Sequence, residues 1–190
     1  MPTDKPRKPA QTCWNCERDV DHTVTVTLRS PSNEQAILPL CRDCYASSYL
    51  PVAAEAREVA PTADQDKTVL VVDDDPDTLW MLSHAFQDEG YAVETAAHGL
   101  EALYKACRRM PDVVVLDLRM PVMDGRKFIA AWRRVTSTAA VPIVAISAHE
   151  RRLTAEELGV QAFLPKPFRL SALIDAVGSL SSSAARQAPA

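Results

Sequence analysis

From residue 67 onward, short apolar runs alternate with stretches in which apolar residues recur every three or four positions. Five runs have the length and composition of β-strands: TVLVV (68–72), YAVETA (91–96), DVVVLD (112–117), VPIVAIS (141–147) and QAFL (161–164). After the first run, Leu79, Leu82 and Phe86 have the spacing of a helix face that packs on a sheet. Strands that alternate with such helices predict βαβ units. The fold class expected here is α/β, with a five-stranded doubly wound parallel sheet.

The first third of the chain has a different pattern. Residues 1–10 contain three prolines and no apolar periodicity, which predicts a flexible leader. The alternating run VTVTL (24–28), a turn signal at 30–33 and the run AILPL (36–40) predict a β-hairpin. Residues 46–66 lack the apolar mass of a core and read as a linker. The expected organisation is leader 1–10, small β module 11–45, linker 46–66, α/β domain 67–180 and flexible tail 181–190.

Charge and hydropathy argue against a general nucleic-acid binder, a membrane-spanning protein and a secreted protein. The net charge is −4, so the chain lacks the basic excess of a general nucleic-acid binder. No run of 18 apolar residues would span a membrane, and the first residues lack the apolar stretch of a secretion signal. We therefore expect a cytoplasmic protein without a membrane partner.

Four of the five cysteines form two C-x-x-C pairs, Cys13 with Cys16 and Cys41 with Cys44. In a reducing compartment this spacing predicts a tetrahedral Zn²⁺ site, because each pair presents two thiolates on one turn. His22 is a weaker candidate ligand, since four thiolates already complete the shell. A module of this size buries little core, so a structural ion would supply much of its folding free energy. A hairpin between two such cysteine turns resembles a zinc ribbon.

The partner of the zinc-ribbon-like module is not named by the sequence. Basic and acidic residues balance over residues 1–50, which leaves no phosphate-binding charge and favours a protein partner over nucleic acid. Trp14 could stack on a base, but a tryptophan in such a small module is more often core or protein contact.

Polar residues follow the ends of several predicted strands. They are Asp73, Asp74, Asp117, Ser147 and Lys166. In open parallel sheets, sites form beyond the carboxyl ends of the strands, so we expect these residues to converge. Clustered carboxylates call for a divalent cation, and oxygen ligands suit Mg²⁺. The arrangement favours phosphoryl transfer. Asp75, directly before Pro76, is expected to cap a helix instead.

The segments VVDDDP (71–76), LDLRMPVMDG (116–125), AIS (145–147) and LPKPF (164–168) together resemble the bacterial two-component response regulator receiver family. The resemblance covers residues 67–180 and implies that family's flavodoxin-like fold. It implies the following roles: Asp117 as phosphoacceptor; Asp73, Asp74, Asp117 and the backbone carbonyl of Arg119 as Mg²⁺ ligands; Ser147 and Lys166 as contacts to the phosphoryl oxygens; Phe163 as the aromatic switch; and Pro167 after a cis peptide bond.

The chain departs from the family pattern between Ser147 and Lys166. Only 18 residues separate them, about one helical turn fewer than in the usual receiver. The fourth helix, near residues 150–158, is therefore expected to be short. We expect the chain either to use the surface that this helix normally forms in an atypical way or to use another face. Arg119 and His149 lie two residues past Asp117 and Ser147, where side chains can influence water attack on the phosphoryl group.

The function expected from these features is a response regulator that accepts a phosphoryl group from a histidine kinase or phosphotransfer protein and signals through protein contacts. Beyond this magnesium-dependent self-transfer and its reversal by water, no enzyme activity is expected. Two alternatives stay open: a DNA-binding transcriptional regulator with the zinc module as output, and a phosphatase with Asp73 as nucleophile. The phosphatase reading is weaker because D-x-D-x-T does not start at Asp73. Homodimerisation stays open as well.

Overall fold

The structure, a computed structural model, describes residues 11–13, 19–20, 24–29, 35–40, 67–134, 140–148 and 154–184. The strands are β1 (Gln11–Thr12), β2 (Asp19–Val20), β3 (Val24–Arg29), β4 (Gln35–Leu40), β5 (Thr68–Val72), β6 (Ala92–Ala96), β7 (Val113–Asp117), β8 (Ile143–Ser147) and β9 (Ala162–Pro165). The helices are α1 (Pro76–Asp88), α2 (Gly99–Arg108), α3 (Gly125–Trp132), α4 (Ala155–Leu158) and α5 (Leu170–Ala184).

Strands β5 to β9 form one parallel sheet in the order β6-β5-β7-β8-β9. This confirms the predicted five-stranded α/β fold. Alternate residues of β5 face opposite sides: Leu70 and Val72 belong to one hydrophobic cluster, whereas Val69 and Val71 belong to the other. The central strands are buried on both faces, which explains why they read as continuous apolar runs.

The sheet separates two layers of helices. Buried residues of α2, α3 and α4 belong to the cluster that contains Leu70, and those of α1 and α5 belong to the cluster that contains Val69. Asp75 caps α1 by accepting hydrogen bonds from the backbone N–H groups of Asp77 and Thr78, as the sequence predicts. Only three residues separate the end of β5 from the start of the capped helix, so strand end and helix start form one tight corner.

Helix α4 is a single turn, in agreement with the expected shortening. Thr154 and Glu157 form a reciprocal capping box at its start, and Gly159, with φ of 66°, ends it in the left-handed region. Since the backbone of Thr154 is already extended, the helix begins at Ala155 rather than near residue 150. Residues 149–153 lie outside the described part of the chain.

The last helix continues past the expected domain end at residue 180. Helix α5 runs to Ala184, so residues 181–184 of the expected tail are helical. Ser181 is buried and its hydroxyl lies 3.2 Å from the hydroxyl of Tyr91, while Lys67 donates to the hydroxyl of Ser182 at 3.2 Å. These contacts come from residues about 90 or more positions earlier, which is why local composition did not indicate them.

The N-terminal strands pair in two antiparallel sheets. β3 pairs with β4 from Val24 opposite Leu40 to Arg29 opposite Gln35, which confirms the two strands of the predicted hairpin, and β1 pairs with β2. Cys13 is described and buried. The other three cysteines of the predicted zinc site, Cys16, Cys41 and Cys44, lie outside the described residues, as do His22, the leader and the linker. No described helix has the length and apolarity that a membrane crossing requires.

Candidate functional site

Two neighbouring strands bring three carboxylates together at the carboxyl edge of the sheet. β5 and β7 are adjacent, with Val72 opposite Leu116, so Asp73 and Asp117 leave the sheet side by side. One oxygen each from Asp73, Asp74 and Asp117 lies within 4.8 Å of the others. The predicted convergence of these residues is therefore present, although Asp117 lies more than 40 positions after the other two in the chain.

Lys166 bridges two of the three carboxylates. Its Nζ donates to Asp73 Oδ2 at 2.8 Å and to Asp117 Oδ2 at 3.0 Å. The backbone of Lys166 is also fixed, because its backbone N–H donates to the carbonyl of Ser147 at 2.8 Å. The peptide bond between Lys166 and Pro167 is cis, as the family resemblance implies. Ser147, the last residue of β8, is thus drawn into the same corner of the sheet and is fully buried.

Backbone N–H groups orient the carboxylates further. The N–H of Asp75 donates to Asp73 Oδ1 at 3.0 Å, and the N–H of Arg119 donates to Asp117 Oδ1 at 3.2 Å. Asp73 and Asp117 therefore each have one oxygen fixed by a backbone N–H group and one engaged by Lys166. The backbone carbonyl of Arg119 belongs to the same turn, while the Arg119 side chain is exposed.

The electrostatic balance of the site favours a cation. Burial raises the pKa of Asp73, although its hydrogen bonds to Lys166 and to the Asp75 N–H act in the opposite direction. Burial lowers the pKa of Lys166, but its bonds to Asp73 and Asp117 outweigh that effect and raise it. One ammonium group faces three carboxylates, so negative charge is in excess. A set of oxygen donors with this charge fits a hard divalent ion such as Mg²⁺.

The loop that follows Asp117 is tightly closed. The N–H of Gly125 donates to the carbonyl of Leu118 at 3.2 Å. A Cβ at position 125 would lie 2.5 Å from the carbonyl oxygen of Asp117 and 2.8 Å from the Cα of Leu118. From the sequence alone, Gly125 fits a turn or the start of a helix. The missed constraint is a contact with the backbone of Asp117 itself, which no local pattern reveals.

Phe163 and His149 are two further residues for which the sequence suggests a role. Phe163 lies in β9, half-buried, and packs against the hydrophobic cluster on the side of α2, α3 and α4. The sequence did not single out His98, yet its Nδ1 accepts a hydrogen bond from the N–H of Glu101 and caps α2. His149 lies outside the described residues.

Comparison with known proteins places residues 69–178 in one family, described as the response regulator receiver domain. The transcriptional regulatory protein PrrA of Mycobacterium tuberculosis is 40% identical over 115 residues, which are 59% of this chain and 48% of PrrA. GlrR of Escherichia coli, another transcriptional regulatory protein, is 38% identical over 112 residues, 57% of this chain and 25% of that protein. The chain therefore spans about half the length of PrrA and a quarter of GlrR.

Solved structures give the same result for the fold, and the matches extend over nearly the whole length of the solved chains. The chemotaxis protein CheY4 of Vibrio cholerae is 37% identical with a TM-score of 0.55, and the match covers 60% of this chain and 98% of CheY4. A response regulator from Chloroflexus aurantiacus is 30% identical with a TM-score of 0.58, over 61% of this chain and 98% of that chain. The family match extends over more than half of the chain, and its residues coincide with the five-stranded sheet and the acidic corner. The chain therefore belongs to the response regulator receiver domain family, a family of two-component signalling domains.

Proposed function

We propose that Asp117 accepts a phosphoryl group from a histidine kinase or a phosphotransfer protein, and that the chain signals through protein contacts. The observation that carries the proposal is the convergence of Asp73, Asp74 and Asp117 with Lys166 at one edge of the sheet. Phosphoryl transfer needs little covalent chemistry from a protein. It needs positioning and neutralisation of the charge on the phosphoryl oxygens, which these residues supply.

Accessibility favours Asp117 over Asp73 as the acceptor. The Asp73 side chain is 1% exposed and the Asp117 side chain 10% exposed. An incoming phosphoryl group can therefore reach an oxygen of Asp117 more readily. In the transfer, a carboxylate oxygen of Asp117 forms a bond to phosphorus while the bond from phosphorus to the donor histidine nitrogen breaks. The electron pair stays on that imidazole nitrogen. The same exposure argues against Asp73 as the nucleophile of a phosphatase.

We assign the metal-binding role to Asp73, Asp74 and Asp117, together with the backbone carbonyl of Arg119. Mg²⁺ held there would neutralise charge on the phosphoryl oxygens. Lys166 would move its hydrogen bond from the Asp117 carboxylate to a phosphoryl oxygen, since that carboxylate loses its charge on becoming an acyl phosphate. The hydroxyl of Ser147 would bind another phosphoryl oxygen.

The proposed switch residue is Phe163. It lies on β9, three residues before Lys166, and β9 pairs with β8, the strand that ends at Ser147. A movement of Ser147 toward a phosphoryl oxygen would change the space beside β9. Since Phe163 is half-buried against the cluster of α2, α3 and α4, its ring can respond to that change.

The test is mass spectrometry of the intact chain after incubation with Mg²⁺ and acetyl phosphate. The wild type should gain the mass of one phosphoryl group, and Asp117→Asn should not. Asp175→Asn, an exposed carboxylate on α5, is the matched control and should label like the wild type. Labelling that persists in Asp117→Asn but disappears in Asp73→Asn would reverse the assignment of the acceptor.

We further propose that Cys13, Cys16, Cys41 and Cys44 bind one Zn²⁺ in a module over residues 11–45, followed by a linker to residue 66. The support is the spacing of the two cysteine pairs and the antiparallel strands between them. Native mass spectrometry should find one zinc ion per chain, lost in Cys41→Ser. The module would bind a protein partner. PrrA and GlrR are named transcriptional regulators, but their similarity to this chain is confined to a stretch of about 115 residues.

A further inference from the structure

The outward side of α2 carries an apolar residue in an unexpected environment. Ala102, Leu103 and Ala106 form the buried stripe that faces the sheet. At about 100° per residue, Leu100 lies roughly a third of a turn away from the centre of that stripe. Lys105, about as far from the stripe on its other side, has a side chain that is 30% exposed. Leu100 is 1% exposed. Something beyond the sheet therefore covers this side of α2.

Helix α3 lies beside α2, and two observations place the N-terminal strands there as well. Cα atoms of β3 come within 8 Å of Cα atoms of α2. Cys13, which directly follows β1, is 0% exposed and belongs to the same hydrophobic cluster as Leu100 and Ala102. Both features lie more than 35 residues before β5 in the chain, so the contacts are tertiary. Cys13 therefore contributes to the core on the α2 side of the receiver, and β3 lies beside that helix.

We propose that the N-terminal strands β1, β3 and β4, together with Cys13, form an intramolecular partner of the receiver, docked on the outward side of α2 through Cys13, β3 and Leu100. This inference does not rest on the proposed phosphoryl transfer. It assigns the surface of α2 to the chain's own N-terminal segment, so a second protein that binds there must first displace it.

The docking surface lies close to the acidic site. The N–H of Gly99, the first residue of α2, donates to the carbonyl of Met123 at 3.1 Å. A Cβ on Gly99 would lie 2.9 Å from the Met123 side chain. Met123 belongs to the closed loop that follows Asp117. The docked strands therefore contact α2, and the start of α2 contacts the loop after Asp117. A displacement of the docked strands would reach that loop through α2, and a movement of the loop would reach the strands in the same way.

The experiment is hydrogen exchange of the full-length chain, followed by mass spectrometry of peptides from residues 24–40. Leu100→Glu places a charge in the docking surface. A two-stranded hairpin is only marginally stable alone, so undocking should accelerate exchange. The expected rise is about tenfold or more, since burial of one leucine side chain is worth at least that factor in an equilibrium constant.

Two controls separate undocking from general damage. Trp80→Glu adds the same charge at a 66% exposed apolar residue of α1, on the opposite face of the sheet, and should leave exchange in residues 24–40 unchanged. Peptides that cover β5 and β7 report whether the central sheet stays folded. If Leu100→Glu opens that sheet, Leu100→Ala replaces it, with a smaller rise expected. Zinc content is matched between variants by intact mass.

The outcomes are distinct. Faster exchange in residues 24–40 with a protected central sheet supports docking on α2. Unchanged exchange in both Leu100 variants, or an equal rise in Trp80→Glu, overturns it.

Discussion

Gly125 and Gly178 provide a paired test of the architecture around Asp117, because the same substitution should have opposite effects at the two positions. In Gly125→Ala, the new methyl group would lie 2.5 Å from the Asp117 carbonyl oxygen, 0.9 Å short of the ordinary contact distance of 3.4 Å. Both of the nearest atoms are backbone atoms, so the loop must shift. Such overpacking costs about 1–3 kcal/mol of the free energy of unfolding.

Gly178 lies inside α5, where a Cβ would meet only the Tyr91 hydroxyl at 3.8 Å. Alanine is favoured over glycine in a helix interior by about 1 kcal/mol. Gly178→Ala should therefore raise the free energy of unfolding by up to about that amount. The two variants change the same atoms, so their difference isolates the close approach at Asp117 from the general effect of replacing glycine.

The assay is urea unfolding at constant pH without divalent ions, with labelling by acetyl phosphate and Mg²⁺ as a second measurement. Gly125→Ala should unfold at a lower urea concentration and label more slowly, since the displaced backbone carries the acceptor. Gly178→Ala should be more stable and label normally. If Gly125→Ala is as stable as the wild type, the close packing of α3 against the Asp117 loop is refuted.

Three further predictions concern single residues. Lys166→Met removes the ammonium group that pairs with Asp73, whose side chain is 1% exposed. The metal-free protein should therefore lose about 3 kcal/mol of the free energy of unfolding, and added Mg²⁺ should restore part of that loss. Equal urea midpoints for wild type and variant would contradict this prediction. Thr154→Ala removes the capping box of α4 and should cost about 1 kcal/mol, measured by urea unfolding, whereas Thr154→Ser should cost much less. Burial lowers the pKa of His98 from its ordinary value of 6.5, so as the pH falls below 6.5 the unfolded chain takes up the proton first. Stability present above pH 6.5 should then be lost as the pH falls through the folded pKa, and His98→Asn, which can also cap α2, should show a smaller loss in thermal unfolding.

Much of the receiver fold was predictable because its signals are local. The strand at 68–72 is a continuous apolar run, and a strand buried on both faces must have that composition. Asp75 before Pro76 predicted a helix start. The Asp75 side chain can cap the first backbone N–H groups and the Pro76 ring fits the first turn, and both effects act within three or four residues. The order of strands and helices then limited the sheet to a parallel one.

The candidate site was predictable in composition but not in geometry. Residues at strand ends converge in any parallel sheet, so Asp73, Asp74 and Asp117 could be grouped in advance. The sequence did not indicate that Lys166 bridges Asp73 and Asp117, because that contact depends on how β9 and the following loop return to the sheet. It also did not indicate that Gly125 touches the backbone of Asp117.

The chain's own pattern determined the type of each element, the phase of its buried residues and the chemistry available at the carboxyl edge of the sheet. These properties follow from side-chain periodicity and from backbone preferences over a few residues. The tertiary structure decided which distant groups meet: Ser181 with Tyr91 at the end of α5, and Cys13 with the cluster that contains Leu100. Such contacts require the chain to close loops of tens of residues, and whether it does so depends on the packing of the whole fold. Conformational preferences over a few neighbouring residues therefore cannot predict them.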